Sequence, residues 1–248
     1  MRIAIAIFMV TALNAVPPQL QAPPVLKKFL EAQSLAGPSE TSLAYRVEYK
    51  SFHKSKPKDV FKDSGEMPIG TTNKGEVWVG APHGLQALTV GETTHTEGQR
   101  WFNQLCESSR LAPLANPVGF LGRLIDKLKF KDVTNPPEGV GEPGDQIFIF
   151  TLEAPRPVAK FWTFKAKADE VRLHIRKNGC PVSMEVIQSY EGRLSPHFGL
   201  YALTRKETWA FVDIAGQVRT KNFRLSLQRQ DWNEAFEAHV EMKVGALK

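Results

Sequence analysis

The sequence predicts a mainly β, α+β fold: a large twisted antiparallel sheet, partly closed, with a few short helices inside it or across its mouth. Three observations lead there. Most of the second half alternates apolar and polar residues with a period of two, the signature of strands with one wet face. Asn178-Gly179 sits between two alternating runs, a strong hairpin signal because both residue types tolerate positive φ. Only two segments show a clear helical stripe, and a sheet of many one-faced strands must close, stack or be covered. A closed barrel or sandwich with the helices outside is the rival arrangement.

The elements follow in chain order. "MRIAIAIFMVTALNA" has an early Arg, an apolar middle from Ile3 to Leu13 and a small residue at Ala15. That is the order of a secretory signal peptide, cut after Ala15. The apolar middle is shorter than the ~20 residues of a membrane-spanning helix. No Leu-Ala-Gly-Cys-like box near the cut supports acylation. Residues 1–15 are therefore read as the signal, 16–24 as a Pro-rich leader and 25–248 as one β domain. Within that domain "VLKKFLEAQSLAG" places Leu26, Phe29 and Leu30 at helical spacing before the Gly37-Pro38 stop. Leu43, Tyr45, Val47 and Tyr49 then alternate as a half-buried strand. Residues 54–75, rich in Lys, Pro, Gly and Thr, read as a long exposed connection, followed by short strands in "EVWVGA" and "LQALTVGE". Residues 99–109 fit a helix or a strand starting at Trp101.

"NPVGFLGRLIDKLKF" is clearer. Asn116 is a good N-cap, Pro117 sits where the missing N–H costs nothing, and Phe120, Leu121, Leu124, Ile125 and Leu128 line one face of a helix over 117–129. The Pro/Gly/acidic segment 132–146 reads as a disordered connection or a mobile lid. The remainder is strand: "QIFIFTLE", "AKFWTFKA", the hairpin "VRLHIRKNGCPVSMEVIQSY", "ETWAFVDIAG", "QVRTKNFRLSLQR" and "AFEAHVEMKV". In the hairpin, Val171, Leu173, Ile175, Val182, Met184 and Val186 should face inward, and Arg172, His174 and Arg176 should face water.

The formal charge is +6, and one of those charges, Arg2, leaves with the signal. Such a balance suits an anionic lipid surface or acidic partners, and peripheral contact with an anionic membrane fits it. The cations are scattered over polar strand faces without a basic tract, and export removes most of the case for nucleic acid. Cys106 and Cys180 are disulfide candidates in an exported chain; a bridge would stabilise by ~4 kcal/mol in the chain-entropy model, and two buried or free thiols are the alternative. Two isolated cysteines and six scattered histidines show no zinc-type spacing. No metal or cofactor is expected.

Nor is catalysis. Neither a Gly-x-Ser-x-Gly elbow nor a phosphate or dinucleotide loop occurs. His197, two residues from Ser195, reads as a loop histidine, and Cys180 as a disulfide partner or inert thiol. The apolar strand and helix positions suggest something else. Tyr45, Val47, Phe120, Leu124, Leu128, Phe161, Leu173, Ile175, Met184, Val186, Phe211 and Met242 are candidates to line a cleft for an acyl chain, or else to fill a core.

The order of elements resembles the LolA/RseB-like superfamily of periplasmic proteins, related to the outer-membrane lipoprotein carrier. The resemblance runs through the signal, the amphipathic helix, the Asn-Pro-started helix "NPVGFLGRLIDKLKF" and the "VRLHIRKNGCPVSMEVI" hairpin, over most of residues 25–244. It implies an incomplete antiparallel barrel with short helices covering its concave apolar face. It also implies a non-catalytic lipid carrier or sensor, exported and periplasmic in a Gram-negative source, whose partner is a hydrophobic ligand or lipidated protein. The long 54–75 connection, the acidic loop and the two cysteines depart from the carrier pattern. A cell-envelope scaffold with a sealed core is the alternative.

Overall fold

A computed structural model describes residues 24–35, 40–53, 60–85, 97–106, 108–151, 163–195, 198–214, 216–230 and 235–245. The signal and nearly all of the leader lie outside these residues, as do Phe161, His197 and most of "LQALTVGE". The described elements are α1 (Pro24–Leu35), β1 (Thr41–His53), β2 (Val60–Thr71), β3 (Val77–Val79), α2 (Glu97–Leu105), α3 (Ser108–Ala115), α4 (Pro117–Ile125), β4 (Lys129–Thr134), β5 (Gln146–Thr151), β6 (Thr163–Ile175), β7 (Pro181–Ser195), β8 (Phe198–Ile214), β9 (Gln217–Gln230) and β10 (Ala235–Val244).

All ten strands join one antiparallel sheet in the order β3-β2-β1-β10-β9-β8-β7-β6-β5-β4. From β4 to β10 every strand pairs with its sequence neighbour, as consecutive hairpins dictate. The one non-local step is β1 against β10, with Tyr45 opposite Val244 and Tyr49 opposite Val240. The sheet ends at β3 and β4 and does not close on itself. It is the incomplete barrel, and the closed-barrel or sandwich alternative falls. The four helices lie on its apolar face, where Leu26, Leu30, Phe102, Leu111, Leu114 and Leu121 join the same buried cluster as Tyr45, Met67, Leu173, Met184, Phe223 and Met242. Burying each large side chain contributes ~1.5–3 kcal/mol, so this layer is the main source of stability.

The helix α4 begins as its sequence dictates: the Asn116 side chain accepts the Gly119 N–H at 2.9 Å and Pro117 opens the first turn. It ends at Ile125, four residues earlier than expected, because Lys129 onward is drawn into β4 beside β5. The short helix α3, which periodicity did not reveal, contains Pro113. Helix C-termini leave carbonyls unpaired. Here the sheet supplies donors: Tyr45 Oη lies 3.3 Å from Leu114 O and Thr220 Oγ1 3.5 Å from Pro113 O.

Four expectations are corrected. Residues 54–75 are not one long connection, because Val60–Thr71 pairs with β1 along its length; pairing to an open strand edge overrides the poor strand propensity of Gly65 and Pro68. Residues 99–109, which by sequence fit either helix or strand, take the helical alternative, over Glu97–Leu105 and again from Ser108. The 132–146 segment is β4 followed by hydrogen-bonded turns, with Val140 N donating to Pro137 O at 2.9 Å and Asp145 N to Glu142 O at 3.1 Å. That tight loop folds over His174, which is buried instead of facing water: its Nε2 lies 3.1 Å from Asp145 Oδ2, and both residues are buried. Arg172 and Arg176 do face water. The hairpin turn runs from Lys177 to Gly179, with Gly179 N donating to Arg176 O at 2.8 Å and Gly179 at φ 90°. Val182 is half-buried because the register shifts between His174 and Ile175 and skips it.

Candidate functional site

The twelve predicted cleft residues split into two sets. Tyr45, Val47, Leu173, Ile175, Met184, Val186, Phe211 and Met242 are all under 9% exposed and belong to the packed cluster. Phe120, Leu124 and Leu128 are half-buried against it. Phe161 lies outside the described residues. Phe120 packs on Trp209 with ring centroids 5.5 Å apart, and Trp209 on Phe223 at 4.3 Å. The space between sheet and α4 is therefore filled at that point. Toward β1, Tyr49 stacks on Phe102 at 4.4 Å, which seats α2.

An open space does exist, at one end of the helix layer. Helix α1, helix α4, the β2–β3 turn and the start of β9 enclose a cleft of about 630 Å³. Its apolar surface comes from Leu30, Ala115, Pro117, Val118, Ile125 and Val218. Around it stand four cations, Lys27, Lys74, Arg123 and Arg219, against two carboxylates, Glu31 and Asp126. Each wall has a local cause. Gly179 lets α1 lie on the β6–β7 turn, since a Cβ there would stand 2.6 Å from Val25 O and 2.9 Å from Phe29 Cβ. Gly122 leaves the α4 wall bare, with nothing within 4 Å of where its Cβ would be. Arg219 is half-buried and burial pulls its guanidinium below its ordinary value, so an anion beside it would recover lost solvation.

None of the twelve predicted cleft residues is among those lining this space. Their signal was apolar periodicity, which finds faces that pack; the cleft is a place where packing stops. The Gly119 and Gly122 positions on an otherwise apolar helix were the available clue, because a glycine inside a helix leaves a gap in its side-chain surface.

The two cysteines are free. The candidate bridge is not made: Cys106 follows α2, near Asp63 of β2, while Cys180 lies in the turn under α1, near Arg176 and Asp213. Burial pushes the Cys106 thiol up to about 12, with Asp63 adding to the shift, and burial raises Cys180 as well. Neither thiol is poised as a nucleophile. Among the described residues no group of three or more His, Cys, Asp or Glu side chains could hold a metal ion, and no helix is long and apolar enough to cross a membrane.

No family model matches the chain, and no curated protein matches it. Among solved structures it is similar to the crystal structure of a LolA superfamily protein from Nitrosomonas europaea, at 11% identity over 90% of this chain and 94% of that one, with a TM-score of 0.28. At that level of similarity the functional reading rests on this chain's own geometry.

Proposed function

We propose that the chain is an exported, non-catalytic binding protein for an amphiphile, whether a lipid, an acyl chain or a lipidated partner. The apolar part enters between α1 and α4, and an anionic head meets Lys27, Lys74, Arg123 and Arg219. In a Gram-negative source it acts in the periplasm. The observation behind this reading is the cleft itself. Its volume of about 630 Å³ falls inside the ~300–1,000 Å³ range of small-molecule sites, and it joins apolar walls to a cationic rim.

Substituting Gly122→Leu tests it. Gly122 lines the cleft and no atom lies within 4 Å of the Cβ a leucine would add there, and replacing a helical glycine should stabilise α4 by up to ~1 kcal/mol. Delipidated wild-type chain should take up a fluorescent fatty-acyl probe saturably, and Gly122→Leu should bind it at least tenfold more weakly while melting no lower. Absence of uptake, or equal uptake by the variant, would sink the proposal.

One observation favours a second reading, a cell-envelope interaction module with a sealed core: eight of the twelve anticipated cleft residues are under 9% exposed. In that case partner capture from envelope extracts survives Gly122→Leu unchanged.

A further inference from the structure

Strand register places four basic side chains in one line across the outer, polar face of the sheet. Lys62 of β2 is opposite Lys50 of β1, Lys50 is opposite His239 of β10, His239 is opposite Ser226 of β9, and Ser226 is opposite Lys206 of β8. Lys62, Lys50, His239 and Lys206 are all exposed. Four strand spacings of ~4.8 Å give the line a length of ~19 Å. It lies in a groove of about 950 Å³, beside Gly84 of the edge loop. That loop is pinned to β2 by Glu66 N donating to His83 O at 2.8 Å and His83 N to Glu66 O at 2.7 Å.

The neighbouring line shows how the sheet handles like charges when it neutralises them internally. Glu48 is opposite Glu241, a repulsive cross-strand pair. Arg46 lies 3.6 Å from Glu48, while Arg224 and Lys243 lie 2.6 and 3.0 Å from Glu241. Lys50 and Lys62 form an equally repulsive pair, yet neither makes an ion pair among the described residues; Lys50 sits only over the Phe52 ring, at 5.7 Å. Lys206, at the end of the line, holds Glu185. Among the described residues, two adjacent ammonium groups thus stand in the groove without an ion pair.

We infer that this groove docks an extended acidic segment of another polypeptide, whose carboxylates complete the Lys62–Lys50–His239 line. A chain rising ~3.3 Å per residue covers the ~10 Å from Lys62 to His239 with about three residues and the whole ~19 Å line with about six. Shape and flanking charge set the occupant. Glu48, Asp63 and Glu241 also line the groove, so a flat anionic membrane would press against carboxylates as well as lysines. A single extended chain can follow the basic line between them. The inference concerns the face opposite the helix layer and is independent of the cleft.

Fluorescein-labelled hexaglutamate and the full chain provide the test, read by anisotropy at low and high salt. The key variant is Lys62→Glu, which gives Lys50 a partner across the strand pair. It should raise the melting temperature and weaken peptide binding at least tenfold, while Lys177→Glu, in the distant exposed turn, should change binding less than twofold. Added salt should weaken wild-type binding. No binding by the wild type, or equal binding by Lys62→Glu, overturns the inference. So does co-sedimentation with phosphatidylglycerol vesicles that depends on Lys62 when the peptide does not bind, which would assign the groove to lipid.

Discussion

Replacing Gly179 with alanine tests how α1 is held, and with it one wall of the cleft. Gly179 has φ 90°, where an alanine is disfavoured by ~1–2 kcal/mol. The new methyl would also stand 2.6 Å from Val25 O, a backbone atom that cannot swing aside. The first turn of α1 must then lift away from the β6–β7 turn, and Leu26, at 0% exposure, loses part of a burial that contributes ~1.5–3 kcal/mol in full. The two effects together predict a loss of about 2–4 kcal/mol. At ~2–4 °C per kcal/mol for a domain of this size, the melting temperature should fall by about 4–16 °C. Gly139→Ala isolates the backbone cost, because Gly139 has φ 79° and nothing within 4 Å of its Cβ position. Urea titrations of both variants should place Gly179→Ala lower in stability by at least ~1 kcal/mol, the share owed to α1. Equal losses would refute the claim that α1 is seated on the turn.

Two further outcomes follow from buried polar contacts. Tyr45→Phe removes a hydroxyl lying 2.9 Å from Thr220 O and 3.3 Å from Leu114 O, at a residue with 0% exposure. It should cost ~1–2 kcal/mol in urea unfolding, and an unchanged midpoint would show that the link between β1, β9 and α3 contributes nothing. For Asp145, the Glu142 N–H, followed by His174, holds the carboxyl below its ordinary value. A depressed folded value means that the stabilisation is complete above the unfolded value of ~3.9 and is lost as pH falls through the folded one. The stability gap between wild type and Asp145→Asn should therefore narrow when urea titrations move from pH 7 to pH 3, and a constant gap would contradict the assignment.

The sequence by itself determined the local elements. Alternation in "AFEAHVEMKV" sorted Phe236, Ala238, Val240 and Met242 to the inner face, and Asn116-Pro117 started a helix where the structure has one. These succeed because period and capping depend on residues a few positions apart. Tertiary structure alone decided the rest. Val60–Thr71 is a strand because β1 offers it an edge, and His174 is buried because a loop some thirty residues earlier in the chain brings Asp145 over it. The cleft exists because Gly122 faces a region that α1, β9 and the β2–β3 turn surround without filling. The basic line across five strands is likewise absent from any one segment. Lys50, Lys62, Lys206 and His239 become neighbours only through register, and register is fixed by the burial of the opposite, apolar face.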